Sequence, residues 1–264
     1  MNIDFEKLTL PTNPNLKNLE YSLNKLKEIN AIDEKLKITP YGRQIVKIQR
    51  GKNSIISIYY ANAILKFSEK FSSVKQYAQL FGFYLALLIS MAMNLIQESN
   101  AEKLISLFSK DTDVETLVNA SRILLSSDLV DNDELRNFVE SYGFSYSTFL
   151  TFRSILQKEA NVIFNKEGVK ISKEIDTFVK ICADLKLDIL EIINRFIQSI
   201  SSDKNWLDIH TIDLDYITES NGVITRPTLA FNGNPNLAIW NNNEKKYPSE
   251  IRVTQRPGWN GISI

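Results

Sequence analysis

The stretch NLEYSLNKLKEINAIDEKLKITPYGRQI, residues 18–45, decides how the chain begins to fold. With Leu16, residues Leu19, Leu23, Leu26 and Ile29 recur three and four positions apart, lining one face of an α-helix. Asn13 or Asn15 stands where a cap belongs. Residues 31–39 (AIDEKLKIT) then put charges in a tight turn and alternate Leu36 with Ile38, the pattern of a small wing strand. Tyr41, Gly42 and Arg43 open a second amphipathic piece through Ile45, Val46 and Ile48. Helix, charged turn, β-prone pair and Thr-Pro-Tyr-Gly-Arg together predict a winged helix. Its charge suits a phosphate backbone: residues 15–52 hold nine basic and four acidic side chains, net +5. Lys37, Arg43, Lys47 and Arg50 are the candidate nucleic-acid contacts of this unit, against the plainer reading of a lysine-rich solvated face.

Working outward, the 264 residues are ordinary globular stock, 44% apolar and 23% charged, enough to bury a core. Basic and acidic residues balance at 31 each, so a nucleic-acid partner must be argued from local charge. Residues 98–144, with ten acids and four bases, are net −6 and make the gradient steep. A single cysteine, Cys182, and a single histidine, His210, leave no internal disulfide and almost no metal-ligand supply. The N-terminus has no apolar segment of the secretory kind, which predicts an intracellular location: cytoplasm, nucleus or, for a viral protein, the virion.

Residues 81–93 (FGFYLALLISMAM) are uncharged, but Gln76, Gln79, Ser90, Asn94 and Gln97 interrupt the surrounding run. That predicts a buried central helix and no membrane partner. Residues 55–67 and 74–96 read as two long helices, followed by helices near 101–108, 114–126, 133–142, 145–165, 172–185 and 188–201. Asp111, Asp113, Asp131 and Asp133 stand at expected helix starts, where a negative side chain opposes the dipole. Past residue 202 come all three tryptophans, His210 and four of the seven prolines, and the helical period ends. Short β-prone runs at 208–216, 222–225, 229–231, 237–240 and 250–254 predict a small β-rich module. The chain thus reads as mainly α: residues 1–52 a lead-in and winged helix, 53–202 a helical bundle, 203–264 a β-rich OB-like module, complete or truncated.

No phosphate-cradling G-x-x-x-x-G-K-[ST] loop, G-x-G-x-x-G, H-E-x-x-H, C-x-x-C or G-x-S-x-G occurs, so no catalytic residue is assigned. Asp213, Asp215 and Glu219 have no spacing that favours acid–base work over a solvated face. Trp206, Trp240 and Trp259, with Arg226, Lys245, Lys246, Arg252 and Arg256, make either a stacking surface or the core of the β module.

The order of motifs resembles the helicase-associated region of DEAH-box RNA helicases. Leu23, Leu26, Ala31, Ile32, Asp33, Ile38, Thr39, Pro40, Gly42 and Arg43 match its leucine-rich helix and Leu-Thr-Pro-Leu-Gly-Arg run. Glu140, Gly143, Tyr146, Thr148 and Arg153 match a later helix, and Leu229, Ala230, Gly233, Asn236, Leu237 and Ala238 the start of an OB-like domain. The motor lobes are missing from the sequence, and the tail after Pro248 departs from the family's pattern. The resemblance implies an accessory region that binds single-stranded RNA, with Arg43 and Arg153 its basic positions, and packs on helicase motor domains in cis or trans; Arg226 and Arg252 are the candidate nucleic-acid contacts of the β module's aromatic-basic surface. It implies no cofactor here, with ATP and Mg belonging to a motor elsewhere. A standalone winged-helix DNA-binding regulator or replication factor is the second reading, and a protein-interaction scaffold the third.

Overall fold

The computed structural model describes residues 16–49, 55–96, 104, 107, 113–127, 129 and 133–201, with strand residues 218–220, 223–225, 228–229, 252–256 and 259–263. The chain is mainly helical, with nine α-helices among the described residues. It divides into two compact units, Met1–Lys52 and Asn53–Ile264.

In the first unit, α1 (Leu16–Glu28) and α2 (Pro40–Gln49) flank a tight turn. Ile45 and Ile48 of α2 are buried, as their helical spacing requires, and so are Ile29 and Ala31 just beyond the end of α1. The expected wing strand over 31–39 is a turn carrying one isolated antiparallel bridge, Ile32 to Ile38. The reason lies in the backbone: Leu36 adopts φ +59°, and a left-handed residue cannot continue an extended strand. Gly42 is required by close approach, because a Cβ there would lie 2.0 Å from the Ala31 carbonyl oxygen.

The second unit is built around α4 (Lys75–Leu95), which packs against α3 (Ile58–Glu69). Ser57 caps α3, its Oγ accepting from the Tyr60 amide at 3.3 Å. A helix apolar on every side must be enclosed, and Leu80, Phe81, Tyr84, Leu85, Leu87 and Leu88 of α4 are all fully buried. Gly82 keeps α3 close: a Cβ there would sit 3.3 Å from the Phe67 ring. Next come α5 (Asp113–Ser126), α6 (Asp133–Ser141), α7 (Tyr146–Phe164), α8 (Ile171–Asp184) and α9 (Ile189–Ser201). Of these, α7 and α8 pack on α4, and α9 packs on α3.

Aromatic side chains knit the centre. Phe67 meets Phe196 edge to face with centroids 5.6 Å apart, and Phe71 meets Phe178 likewise at 5.2 Å. The Tyr84 hydroxyl hydrogen-bonds Ser121 Oγ at 2.6 Å, which satisfies a buried phenol whose pKa burial drives well above its ordinary value. Asp133 lies in the first turn of α6, where negative charge suits the helix dipole, and Asp113 is the first residue of α5. The Asp188 Oδ1 accepts from the Glu191 amide at 2.7 Å and caps α9.

Near the C-terminus the described backbone forms short antiparallel ladders. β1 (Thr218–Ser220) pairs with β2 (Val223–Thr225), and β5 (Trp259–Ser263) pairs with both β3 (Thr228–Leu229) and β4 (Arg252–Arg256). The ladders among the described residues include no closed barrel. The expected caps Asn13, Asn15, Asp111 and Asp131, and the expected strands at 208–216 and 237–240, lie outside the described residues, as does most of the expected helix at 101–108.

Candidate interaction surface

The turn between α1 and α2 is braced from both ends. Asp33 Oδ1 accepts from the amides of Lys35 at 2.9 Å and Lys37 at 2.8 Å, while the Asp33 amide donates to the Lys37 carbonyl at 2.8 Å. One carboxylate therefore satisfies two turn amides. At the far end Thr39 caps α2: its Oγ1 accepts from the Gly42 amide at 2.9 Å and donates to the Asn30 carbonyl at 2.5 Å. Pro40 follows at the first helical position, where its missing N–H costs nothing. Lys27 pairs with Glu34 at 2.9 Å and ties the turn to α1.

This brace holds an apolar pair in solvent. Leu36 is 50% exposed and Ile38 44%, with exposed Lys35 and Lys37 beside them. On α2 the buried positions Gly42, Ile45 and Ile48 leave Arg43 and Lys47 on the opposite, exposed side, one helical turn apart. Three sequence-predicted cations, Lys37, Arg43 and Lys47, therefore belong to one small body with Leu36 and Ile38. Sequence reasoning missed the exposure of the apolar pair on a turn, because alternation alone reads as strand.

Of the other predicted cations, Arg153 belongs to the second unit. Arg153 on α7 is half-buried, and its Nη1 donates to the Leu129 carbonyl at 3.4 Å, which ties it to the helical unit. Arg122 is likewise spent, its Nη2 2.6 Å from Asp176 Oδ1 between α5 and α8. Arg136 sits over the Tyr146 ring, 5.1 Å from its centroid. Arg50 and Arg226 lie outside the described residues, as do Trp206, Trp240 and His210, and Arg252 is described only as the first residue of β4. Cys182 is buried, which pushes its thiol up to about 11 and removes thiolate chemistry at neutral pH. No cluster of three metal-ligating side chains occurs among the described residues.

No helix among the described residues is long and apolar enough to cross a membrane; the uncharged run at 81–93 lies within the enclosed α4. A family model described as Herpesvirus UL36 tegument protein matches residues 24–180, from the middle of α1 to the middle of α8. That match overturns the resemblance to DEAH-box helicases, and with it the accessory helicase function and the RNA-binding role drawn from it. The shared Thr-Pro-x-Gly and Gly143 signals are helix-end grammar: a cap, a first-turn proline, a close approach and a left-handed glycine at φ +82°. No curated protein matches the chain. Because the match spans more than half of the 264 residues and takes in both the braced turn and the enclosing helices, the chain belongs to the Herpesvirus UL36 tegument protein family.

Proposed function

We propose that this chain is a protein-interaction scaffold of a virus particle, and that the Leu36–Ile38 knuckle is one of its contact points. The observation that carries the reading is an apolar side chain held half in water at a costly backbone angle: Leu36 at φ +59° and 50% exposed. A left-handed conformation costs an ordinary residue about 1–2 kcal/mol; the buried half of the side chain offsets about 1 kcal/mol of it within the unit, and the exposed half is left to gain more by burial elsewhere. Burial against a partner would recover roughly 1 kcal/mol from each of the two half-exposed side chains. Exposed Lys35 and Lys37 flank the pair along the chain, and exposed Arg43 and Lys47 belong to the same unit; this charge fits a protein surface offering an apolar groove edged by acidic residues. The family's tegument membership supports protein partners and a place in the virion. On this reading the first unit keeps a helix-turn-helix body in which a winged helix's wing is reduced to one bridge, and the C-terminal ladders are the start of a small β module.

The test is incorporation of the full chain carrying Leu36→Asp and Ile38→Asp into virus particles. The double variant should melt as the wild type does and be incorporated several-fold less. Unchanged incorporation would refute the reading, as would a steep salt-dependent affinity of the wild type for single-stranded nucleic acid that the Asp variants leave intact.

A further inference from the structure

The connection between α7 and α8 forms a pocket in the second unit. Asn165 ends α7 at φ +49° and Gly168 turns the chain again at φ +67°. Two side-chain amides fasten the loop. Asn161 Oδ1 accepts from the Val169 amide at 3.2 Å and its Nδ2 donates to Glu167 Oε2 at 2.7 Å, while Gln157 Nε2 donates to the Val169 carbonyl at 2.8 Å. The loop is thereby held open over a cavity of about 330 Å³ whose walls include Tyr77, Phe164, Lys166, Lys170, Lys173 and Glu174.

Two features of the wall point to one kind of ligand. Three lysines face one glutamate, and Lys166 and Lys173 make no ion pair among the described residues. Ammonium groups act as point charges, and several of them can hold a phosphate group from different directions. Tyr77 and Phe164 meet edge to face, centroids 5.3 Å apart and planes at 74°, giving the same cavity aromatic surface on which a flat ring can stack. The volume lies at the small end of ligand clefts, room for one ring system and its phosphates and not for a folded segment of a partner.

We propose that this pocket binds a nucleoside phosphate, its phosphates among Lys166, Lys170 and Lys173 and its base against Tyr77 and Phe164. The site is independent of the knuckle, so the Asp variants at 36 and 38 should bind the nucleotide as the wild type does.

The test is titration of the full chain with adenosine triphosphate at physiological salt, followed by calorimetry and by backbone amide shifts. Saturable one-to-one binding is expected, with the largest shifts at residues 164–174 and tighter binding than inorganic tripolyphosphate. Lys166→Gln with Lys173→Gln, both at exposed positions, should weaken binding roughly tenfold or more. Tyr77→Leu should erase the preference for adenosine triphosphate over tripolyphosphate, and that preference in the wild type reads the ring contribution even without the variant. The proposal is overturned by no saturation at millimolar nucleotide, by equal affinity for bare tripolyphosphate, by shifts centred elsewhere, or by equal competition from a glutamate-rich peptide.

Discussion

Leu36→Asn removes the apolar side chain while keeping the turn, and so separates display from packing. Two opposing effects set its magnitude. Asparagine tolerates the left-handed region, so the substitution at φ +59° relieves about 1 kcal/mol of backbone strain. Leu36 is 50% exposed, so losing its contacts forfeits roughly half of the 1.5–3 kcal/mol that full leucine burial contributes, or about 1 kcal/mol. The two nearly cancel, and urea denaturation of the full chain should show a stability change within about 1 kcal/mol. Binding to a virion partner should fall at the same time. A loss above about 2 kcal/mol, the range of a truncated core leucine, would mean that Leu36 packs inside the protein and would refute the display argument.

Two other substitutions probe the frame. Gly42→Ala places a methyl 2.0 Å from the Ala31 carbonyl oxygen, so α2 must shift; the cost should be about 3 kcal/mol or more, read as lost hydrogen-exchange protection in α1 and α2, and undiminished protection would contradict it. Glu159 on α7 has its carboxyl raised from 4.5 to about 7 by burial. The unfolded chain releases this proton near pH 4.5 and the folded chain near 7, so the folded state binds the extra proton in between, and stability falls as pH rises through that window and then levels off. Glu159→Gln should therefore match the wild type at pH 4 and exceed it at pH 8 by roughly 1–2 kcal/mol, below the ~3 kcal/mol ceiling because the side chain keeps some water; a pH-independent difference would contradict the assignment.

The helices of the second unit were legible because their cause is local and repeated. The uncharged run at 81–93 and the residues around it become the enclosed α4, and the expected helices at 145–165 and 172–185 appear as Tyr146–Phe164 and Ile171–Asp184. The strand expected over 31–39 failed at one dihedral: period-two alternation of Leu36 and Ile38 cannot reveal that Leu36 turns left-handed under the control of Asp33. The family resemblance misled for a related reason. Thr39, Pro40 and Gly42 recur wherever a helix must start against a carbonyl, so they report local geometry and say little about ancestry. Arg153 and the pocket lysines were illegible for another reason. Whether a cation braces a loop or lines a cavity depends on contacts across the fold, here with Leu129 and Tyr77, that no spacing along the chain encodes.

The most direct test of the scaffold account is photo-crosslinking inside assembled particles, with a light-activated residue at position 36 and, as control, at Val162, an isolated apolar side chain 72% exposed on α7. The account predicts a discrete covalent adduct with a virion protein from position 36, mapped to an apolar segment bordered by acidic residues, and none from position 162. Adducts to nucleic acid, or identical patterns from the two positions, would contradict it.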